Sequence, residues 1–309
     1  MKHFINLKDI SLRDLRKILI DAKKRKQARN KLNNLENDKG APLRGKLLIQ
    51  MFEESSLRTR LSFYIAIKQL GGGTITLRPN ELHLGDGGES LEDTAKILST
   101  YGDGFMLRSD DDKKIESFKK FLSIPLINGL SPSSHPTQVL SDVFTVEEIK
   151  KRSISELDIA WIGDSNNVLN SLIAASIKFD FKLNIACPKN YNPRKDLLDW
   201  AKTKNRNINV YNDASKAAIN ADVIFSDKVI SLNDKVNKEK KLSHFRNFII
   251  NQKLMRLAKK DCIFLHCLPR GSEVDEKVFL SKQSKVWSQA FNRIHVQKSI
   301  LLYCFGKLR

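Results

Sequence analysis

Apolar runs of four to six residues alternate with longer amphipathic stretches along the whole chain. Leu47–Phe52, Thr74–Leu77, Gly104–Arg108 and Pro125–Asn128 read as short buried strands. Between and around them, Leu12–Arg29, Leu61–Lys68, Glu89–Leu98, Ile115–Leu122 and His135–Lys151 carry helical spacing. Ser11 is placed to cap the first helix, with Asp14 in its first turn. Gly71-Gly72-Gly73 ends the second, while Lys31–Pro42 and the Gly-rich Leu82–Gly88 read as loops. The pattern then restarts. Leu157–Ile162, Lys182–Cys187, Ile208–Tyr211, Val223–Ser226 and Cys262–His266 are strands. Asn167–Phe179, Arg194–Lys204, Ala214–Ile219, Asn251–Lys259 and Asn292–Leu302 are helices. Apolar strands alternating with helices predict an α/β protein of two lobes, each a parallel sheet flanked by helices. The change-over in Lys150–Glu156 predicts domains at 1–150 and 151–309.

The polar residues that break this pattern sit where strands end. Ser56-Leu57-Arg58-Thr59-Arg60 joins the first apolar run to the next helix. Such a turn offers unpaired helical N–H groups, the positive end of a helix dipole, and a guanidinium able to grip an anion with two bonds. Arg58 and Arg60 are two apart and cannot share one face. One is expected to reach the anion and the other to brace the fold. The ordinary alternative is a basic helix cap on the surface. Gly163-Asp164-Ser165-Asn166-Asn167 also follows a strand and opens a helix, but it lacks the glycine spacing of a dinucleotide loop. Arg108 closes a strand, and His135-Pro136 opens a helix with Gln138 one turn on. All of these lie at the carboxyl ends of strands, where open α/β sheets bind ligands.

The net charge of +19 raises nucleic-acid binding as a rival. The lysines are spread, however. Their denser stretches at Lys23–Lys31 and Lys235–Lys241 lack interleaved aromatics and read as solvated surface. No specific nucleic-acid partner is expected. No apolar run reaches the roughly 18 residues of a membrane span, and no signal-peptide pattern opens the chain. Cys187, Cys262, Cys267 and Cys304 lack metal-ligand spacing and fit reduced thiols, hence a cytoplasmic protein with no metal site.

Five segments in order also resemble one family. Ser56–Arg60 resembles the Ser-Thr-Arg-Thr-Arg phosphate loop of the carbamoyltransferases. His135-Pro136-Thr137-Gln138, Gly163–Val168, His266-Cys267-Leu268-Pro269-Arg270 and Asn292–Lys298 are similar to the motifs that follow it there. The resemblance implies carbamoyl transfer from carbamoyl phosphate to an amine, by a trimer or a multiple of trimers, with no metal and no organic cofactor. It assigns carbamoyl phosphate to Ser56, Leu57, Arg58, Thr59, His83, Arg108, His135, Gln138 and Arg293. Thr59, Arg108 and His135 would steady the oxyanion of the tetrahedral state. Cys267 in place of proline points to the ornithine branch rather than the aspartate one, with L-ornithine as acceptor and L-citrulline as product, and Asp227 favours a free α-amino group over an N-acylated ornithine or putrescine. Ornithine would meet Asn167, Asp227, Ser231, Leu232, Cys267 and Leu268, and Cys267 would lie near the reacting amine. On its own, Cys267 reads as a strand cysteine. The last helix, about Asn292–Leu302, is expected to cross back to the first lobe. Four departures from the family pattern stand out: Leu57 replaces a threonine, Lys228–Asn233 replaces the W-V-S-M-G loop after Asp227, extra residues precede Glu89, and Phe291 replaces a glutamate.

Overall fold

The computed structural model describes residues 1–78, 81, 88–204, 207–230 and 237–308. Its strands are β1 (Leu47–Phe52), β2 (Gly73–Leu77), β3 (Gly104–Arg108), β4 (Leu126–Leu130), β5 (Asp158–Ile162), β6 (Lys182–Ala186), β7 (Ile208–Tyr211), β8 (Val223–Ser226) and β9 (Ile263–His266). Its helices are α1 (Leu12–Ala28), α2 (Arg58–Gln69), α3 (Leu91–Tyr101), α4 (Asp112–Phe121), α5 (Pro136–Lys150), α6 (Asn167–Phe179), α7 (Lys195–Lys204), α8 (Ala214–Ala218), α9 (Lys238–His244), α10 (Gln252–Met255), α11 (Glu276–Phe279) and α12 (Val286–Cys304). Two parallel sheets result, in the orders β2-β1-β3-β4 and β7-β6-β5-β8-β9. The two-lobed α/β architecture read from the apolar runs is the architecture observed.

The chain forms two compact units. One is Met1–Ser141 together with Phe291–Arg309, and the other is Asp142–Ala290. The larger part of α12 therefore belongs with the N-terminal sheet, as the resemblance implied. In the first unit, Ile49, Phe105, Leu107, Ile115, Phe118 and Leu126 are buried between the sheet and α3 and α4. In the second, Ala160, Ile162, Ile224, Phe264 and the alanines of α8 form the core. At the amino ends of its strands, buried Asp222 accepts from Asp158 N (2.9 Å) and Lys259 Nζ (2.7 Å). Opposite-charge clamping thus occupies one end of the sheet and leaves the carboxyl ends for other work.

Several boundaries differ from the sequence reading. Helix α2 begins at Arg58, because Leu57 already holds helical φ and ψ and nothing in Arg58-Thr59-Arg60 disfavours helix. Helix α12 begins at Val286, six residues early, with Val286 and Gln289 buried. Helix α10 is short, running from its Asn251 cap only to Met255. Cys262 and Cys267 flank β9 rather than sharing it. Helix α9 carried no apolar periodicity to announce it. It lies in the basic stretch read as solvated, yet Lys241 is only 6% exposed.

Buried charge joins α12 to the first unit. Lys298, fully buried, donates to both oxygens of Asp38 at 3.0 and 3.2 Å. Arg29 donates to Asp38 Oδ1 at 2.7 Å, and Arg25 bridges Asp21 and Asp38. Burial alone would raise the Asp38 carboxyl, but Lys298 and Arg29 together hold it below the usual range. Burial lowers Lys298 to about 8 against the pull of Asp38.

His295 lies on the same helix, 3% exposed, with its ring 5.0 Å from that of Phe291. Neither ring nitrogen bonds a described residue. Burial, then the positive charge of Lys298, Lys26 and Arg29, pushes its pKa down to about 3. Between pH 3 and 6.5 the unfolded chain therefore holds a proton at this residue that the folded chain does not. Its contribution to stability is complete above 6.5 and is lost as pH falls toward 3. At pH 5.5 the loss is about 1.4 kcal/mol. In urea titrations at pH 7.5 and 5.5, His295→Leu should lose less stability than the wild type between the two pH values, by about that amount.

Candidate active site

Three adjacent strands of the first sheet, β1, β3 and β4, end beside one another. The chain leaving β1 forms the turn before α2. Leu57, at the N-cap, contributes no side-chain bond to the helix amides. Arg108 closes β3, where the register with β4 shifts. Its Nη2 is paired with Glu54 at 3.0 Å, and its Nη1 reaches Ser56 Oγ at 3.5 Å. The Arg108 Nε–H meets no acceptor among the described residues. Glu53 is turned aside, held by Ser109 Oγ (2.6 Å) and Lys114. From α12, Arg293 Nη2 donates to Thr59 Oγ1 at 2.7 Å, and both side chains are buried. Because Arg293 fills an acceptor position on that hydroxyl, the Thr59 proton is free to be donated elsewhere.

His135 follows β4 and is 5% exposed. Burial, followed by the charges of Arg293, Arg108 and Arg58, holds its pKa well below the ordinary histidine value. The imidazole is neutral at physiological pH and keeps one N–H donor. Three guanidinium groups around a neutral donor suit an anion whose neighbouring oxygen gains charge during reaction. Gln138 is buried on α5, one turn beyond His135. Leu57 is 68% exposed and points away from the unit's own core. Arg60 is exposed and makes no ion pair with a described residue, so it does not brace the fold as the sequence suggested. Being two residues on, it takes the outer face of α2 while half-buried Arg58 takes the inner. His83 lies outside the described residues.

In the second unit, the ends of β5, β8 and β9 are likewise contiguous. After β5, Asn166 does two jobs. Its Oδ1 caps α6 by accepting from Val168 N (3.0 Å) and Leu169 N (3.1 Å), and its Nδ2 donates to Asp227 Oδ2 at 2.8 Å. Asn167 begins the helix. Asp227 follows β8, and desolvation raises its carboxyl above the usual range, opposed by His266. After β9, His266 Nδ1 accepts from Leu268 N (2.9 Å), so its Nε2–H donates to Glu273 Oε1 at 3.0 Å. Leu268 adopts a left-handed φ of 59°, uncommon for leucine, and half-exposed Cys267 stands beside it. Glu273 also accepts from Gly271 N and from Val229 N (3.4 Å), tying the chain after β8 to the chain after β9. Gln289 accepts from His266 N at 2.9 Å and donates to Asp142 at 2.8 Å. Ser231 and Leu232 lie outside the described residues.

Glu54, Glu273 and Gln289 were missed in the sequence. Glu54 borders a recognisable motif and was open to discovery there. The other two act across 7 and 23 residues, with no local pattern to mark them.

Residues 2–148 match the family model "Aspartate/ornithine carbamoyltransferase, carbamoyl-P binding domain", and residues 155–304 match "Aspartate/ornithine carbamoyltransferase, Asp/Orn binding domain". This chain belongs to the aspartate/ornithine carbamoyltransferase family. It is 39% identical over 307 residues to an ornithine carbamoyltransferase of Agrobacterium fabrum, covering 99% of this chain and 98% of that protein. The corresponding protein of Brucella suis is 40% identical over 306 residues, covering 98% and 96%. Among solved structures, the ornithine carbamoyltransferase from Pyrococcus furiosus superposes with a TM-score of 0.92 at 36% identity, over 99% of this chain and 97% of that one. The anabolic ornithine carbamoyltransferase from Campylobacter jejuni gives 0.89 at 34% identity, over the whole of both chains. Four of the five motifs thus follow strand ends within their own sheets, and the fifth, Asn292–Lys298, lies on α12.

Removing the Glu273 carboxylate strips the acceptor from the His266 Nε2–H and from two backbone amides. Glu273→Ala should therefore lower stability by about 3 kcal/mol or more, since each buried donor left unmade costs about 1–3 kcal/mol. Equilibrium urea denaturation measures this, and Glu273→Gln should recover part of the loss.

Proposed function

We propose that the chain is an ornithine carbamoyltransferase, moving the carbamoyl group of carbamoyl phosphate to the side-chain amine of L-ornithine to give L-citrulline and phosphate. The observation that carries this reading is Asp227 standing at a strand end next to that of Cys267, inside a chain matched nearly end to end by ornithine carbamoyltransferases. A carboxylate held by Asn166 is suited to an α-ammonium group, and Asn167 to an α-carboxylate. Aspartate, with a second carboxylate, would meet Asp227 with like charge.

In the first unit, Ser56, Arg58 and the amides of α2 take the phosphate, with Arg293 fixing Thr59. Gln138 and His135 face the carbamoyl group, and His83 is assigned to the same ligand on resemblance alone. Thr59, Arg108 and neutral His135 donate to the carbonyl oxygen. The neutral amine of ornithine attacks the carbamoyl carbon, forming a C–N bond as charge grows on that oxygen. The tetrahedral state then collapses, the C–O bond to phosphate breaks, and the departing phosphate takes the amine proton. Cys267 and Leu268 orient the amine, while Ser231 and Leu232 complete the amino-acid site. Positioning and preset donors supply most of the acceleration, and the chemistry calls on no metal or organic cofactor.

The reading places the enzyme in arginine metabolism and in the cytoplasm, where four free thiols fit. No helix among the described residues is long and apolar enough to cross a membrane. It also makes the active species a homotrimer or a multiple of one. Leu57, Leu61 and Tyr64 are 68, 50 and 39% exposed along one face of α2, an apolar stripe that self-association would cover. Sedimentation velocity should give a mass of three chains or a multiple, and Leu61→Glu should shift it toward the single chain.

Asp227→Asn keeps the shape and removes the charge. The ornithine KM should rise about 10- to 100-fold, the loss of a charged hydrogen bond worth about 1.5–3 kcal/mol. The carbamoyl phosphate KM should hold within about twofold, because that ligand belongs to the other unit. Steady-state kinetics with ureido-product detection reads both constants. Carbamoylaspartate formed faster than citrulline by the wild type would assign the chain to the aspartate branch instead.

A further inference from the structure

The basic stretch that precedes and enters α9 contains a lysine that the reaction scheme does not use. Lys241 is 6% exposed, and its Nζ lies 2.7 Å from Asp164 Oδ2. Asp164 is the second residue of the turn after β5, whose fourth residue, Asn166, caps α6 and holds Asp227. The backbone carbonyl of Asp164 accepts from Trp161 Nε1 at 3.1 Å. The turn is thus pinned at two points: the carbonyl by a buried tryptophan and the carboxylate by a buried lysine.

Helix α9 has little apolar surface of its own. Around it, Tyr191 packs on Phe245 at 4.8 Å, its hydroxyl lies 3.1 Å from His244 Nδ1, and Lys241 Nζ sits 5.7 Å from the Tyr191 ring centroid. These contacts seat α9 in the second unit. Asp227 and Lys241 are consequently tied to the same turn after β5, the first through Asn166 and the second through Asp164. A surface lysine could not do this. Burial removes competing water, so the ion pair holds one geometry, and leaving either charge alone would be costly.

We infer that the Lys241–Asp164 ion pair is a positioning device for the amino-acid substrate: it sets the turn that orients Asn166, Asn167 and, through Asn166, Asp227. Lys241 touches no reacting atom and acts through Asp164. The inference rests on the ornithine reading above. Its loss should therefore appear in the constant for ornithine and not in the constant for carbamoyl phosphate, which the other unit binds.

The test uses the full-length chain with Lys241→Met, Lys241→Arg and the double variant Lys241→Met with Asp164→Asn. Circular dichroism and thermal melting are recorded for each. In Lys241→Met the ornithine KM should rise tenfold or more, while kcat and the carbamoyl phosphate KM stay within about threefold. Lys241→Arg, which retains the charge and the reach, should keep the ornithine KM within about threefold of the wild type. If Lys241→Met does not fold, the double variant, which removes both charges of the pair, carries the same measurement. An ornithine KM within twofold of the wild type in the folded variant overturns the inference, as does an equal rise in both KM values. Wild-type citrulline formation, measured alongside, decides the ornithine reading separately. A wild type that carbamoylates another amine removes that reading and leaves the ion pair to be judged on the amine actually used.

Discussion

One hydrogen bond brings α12 to the turn after β1 within the first unit: Arg293 Nη2 to Thr59 Oγ1, across 234 residues of sequence. Without it, the turn after β1 would present a threonine hydroxyl free to rotate and to accept as readily as donate. With a guanidinium filling its acceptor side, the hydroxyl is left to donate. After burial, the same arginine is the largest influence keeping His135 neutral. Arg293 can reach this place because Lys298, one and a half turns further along α12, is fixed to Asp38 in the interior of the first unit. A buried ion pair of this kind contributes little net stability, but it allows one arrangement and penalises others.

In each unit the placement of the candidate site residues follows from parallel strand order. Each sheet places three carboxyl ends side by side, β1, β3 and β4 in one and β5, β8 and β9 in the other. The two sets are electrically opposite in purpose. The first gathers arginines about an uncharged imidazole. The second gathers a carboxylate, two asparagines and a thiol, with its own acid, Glu273, committed to holding His266.

Much of this was legible in the chain. The apolar runs located the strands because parallel sheets bury both faces, and the turn at Ser56–Arg60 stood out because polar residues interrupt that pattern. What stayed hidden depends on partners distant in sequence. Glu273 and Gln289 look like ordinary polar residues until β9 brings His266 to them. Lys241 looked solvated because one lysine among many carries no mark of burial; its partner, Asp164, lies 77 residues away in sequence. Arg60 looked structural because it stands beside Arg58, and helix geometry instead sends it outward. Helix α9 escaped notice for a related reason: it is anchored by charge and aromatic contacts rather than by an apolar stripe.

The interrupted first unit has a consequence for how the molecule is made. Ribosomes deliver a chain from its N-terminus, and domains begin to fold as they emerge. The second unit occupies one uninterrupted stretch, Asp142–Ala290, whereas the first lacks its closing helix until residues 291–304 appear. The unit that starts first is therefore finished last. During synthesis, Asp38, Arg29 and Arg25 wait without Lys298, and Thr59 waits without Arg293. The contacts of Thr59 with Arg293 and of Asp38 with Lys298 form only once the whole second unit has been delivered, so nascent chains pass through a stage in which one unit has all its residues and the other does not.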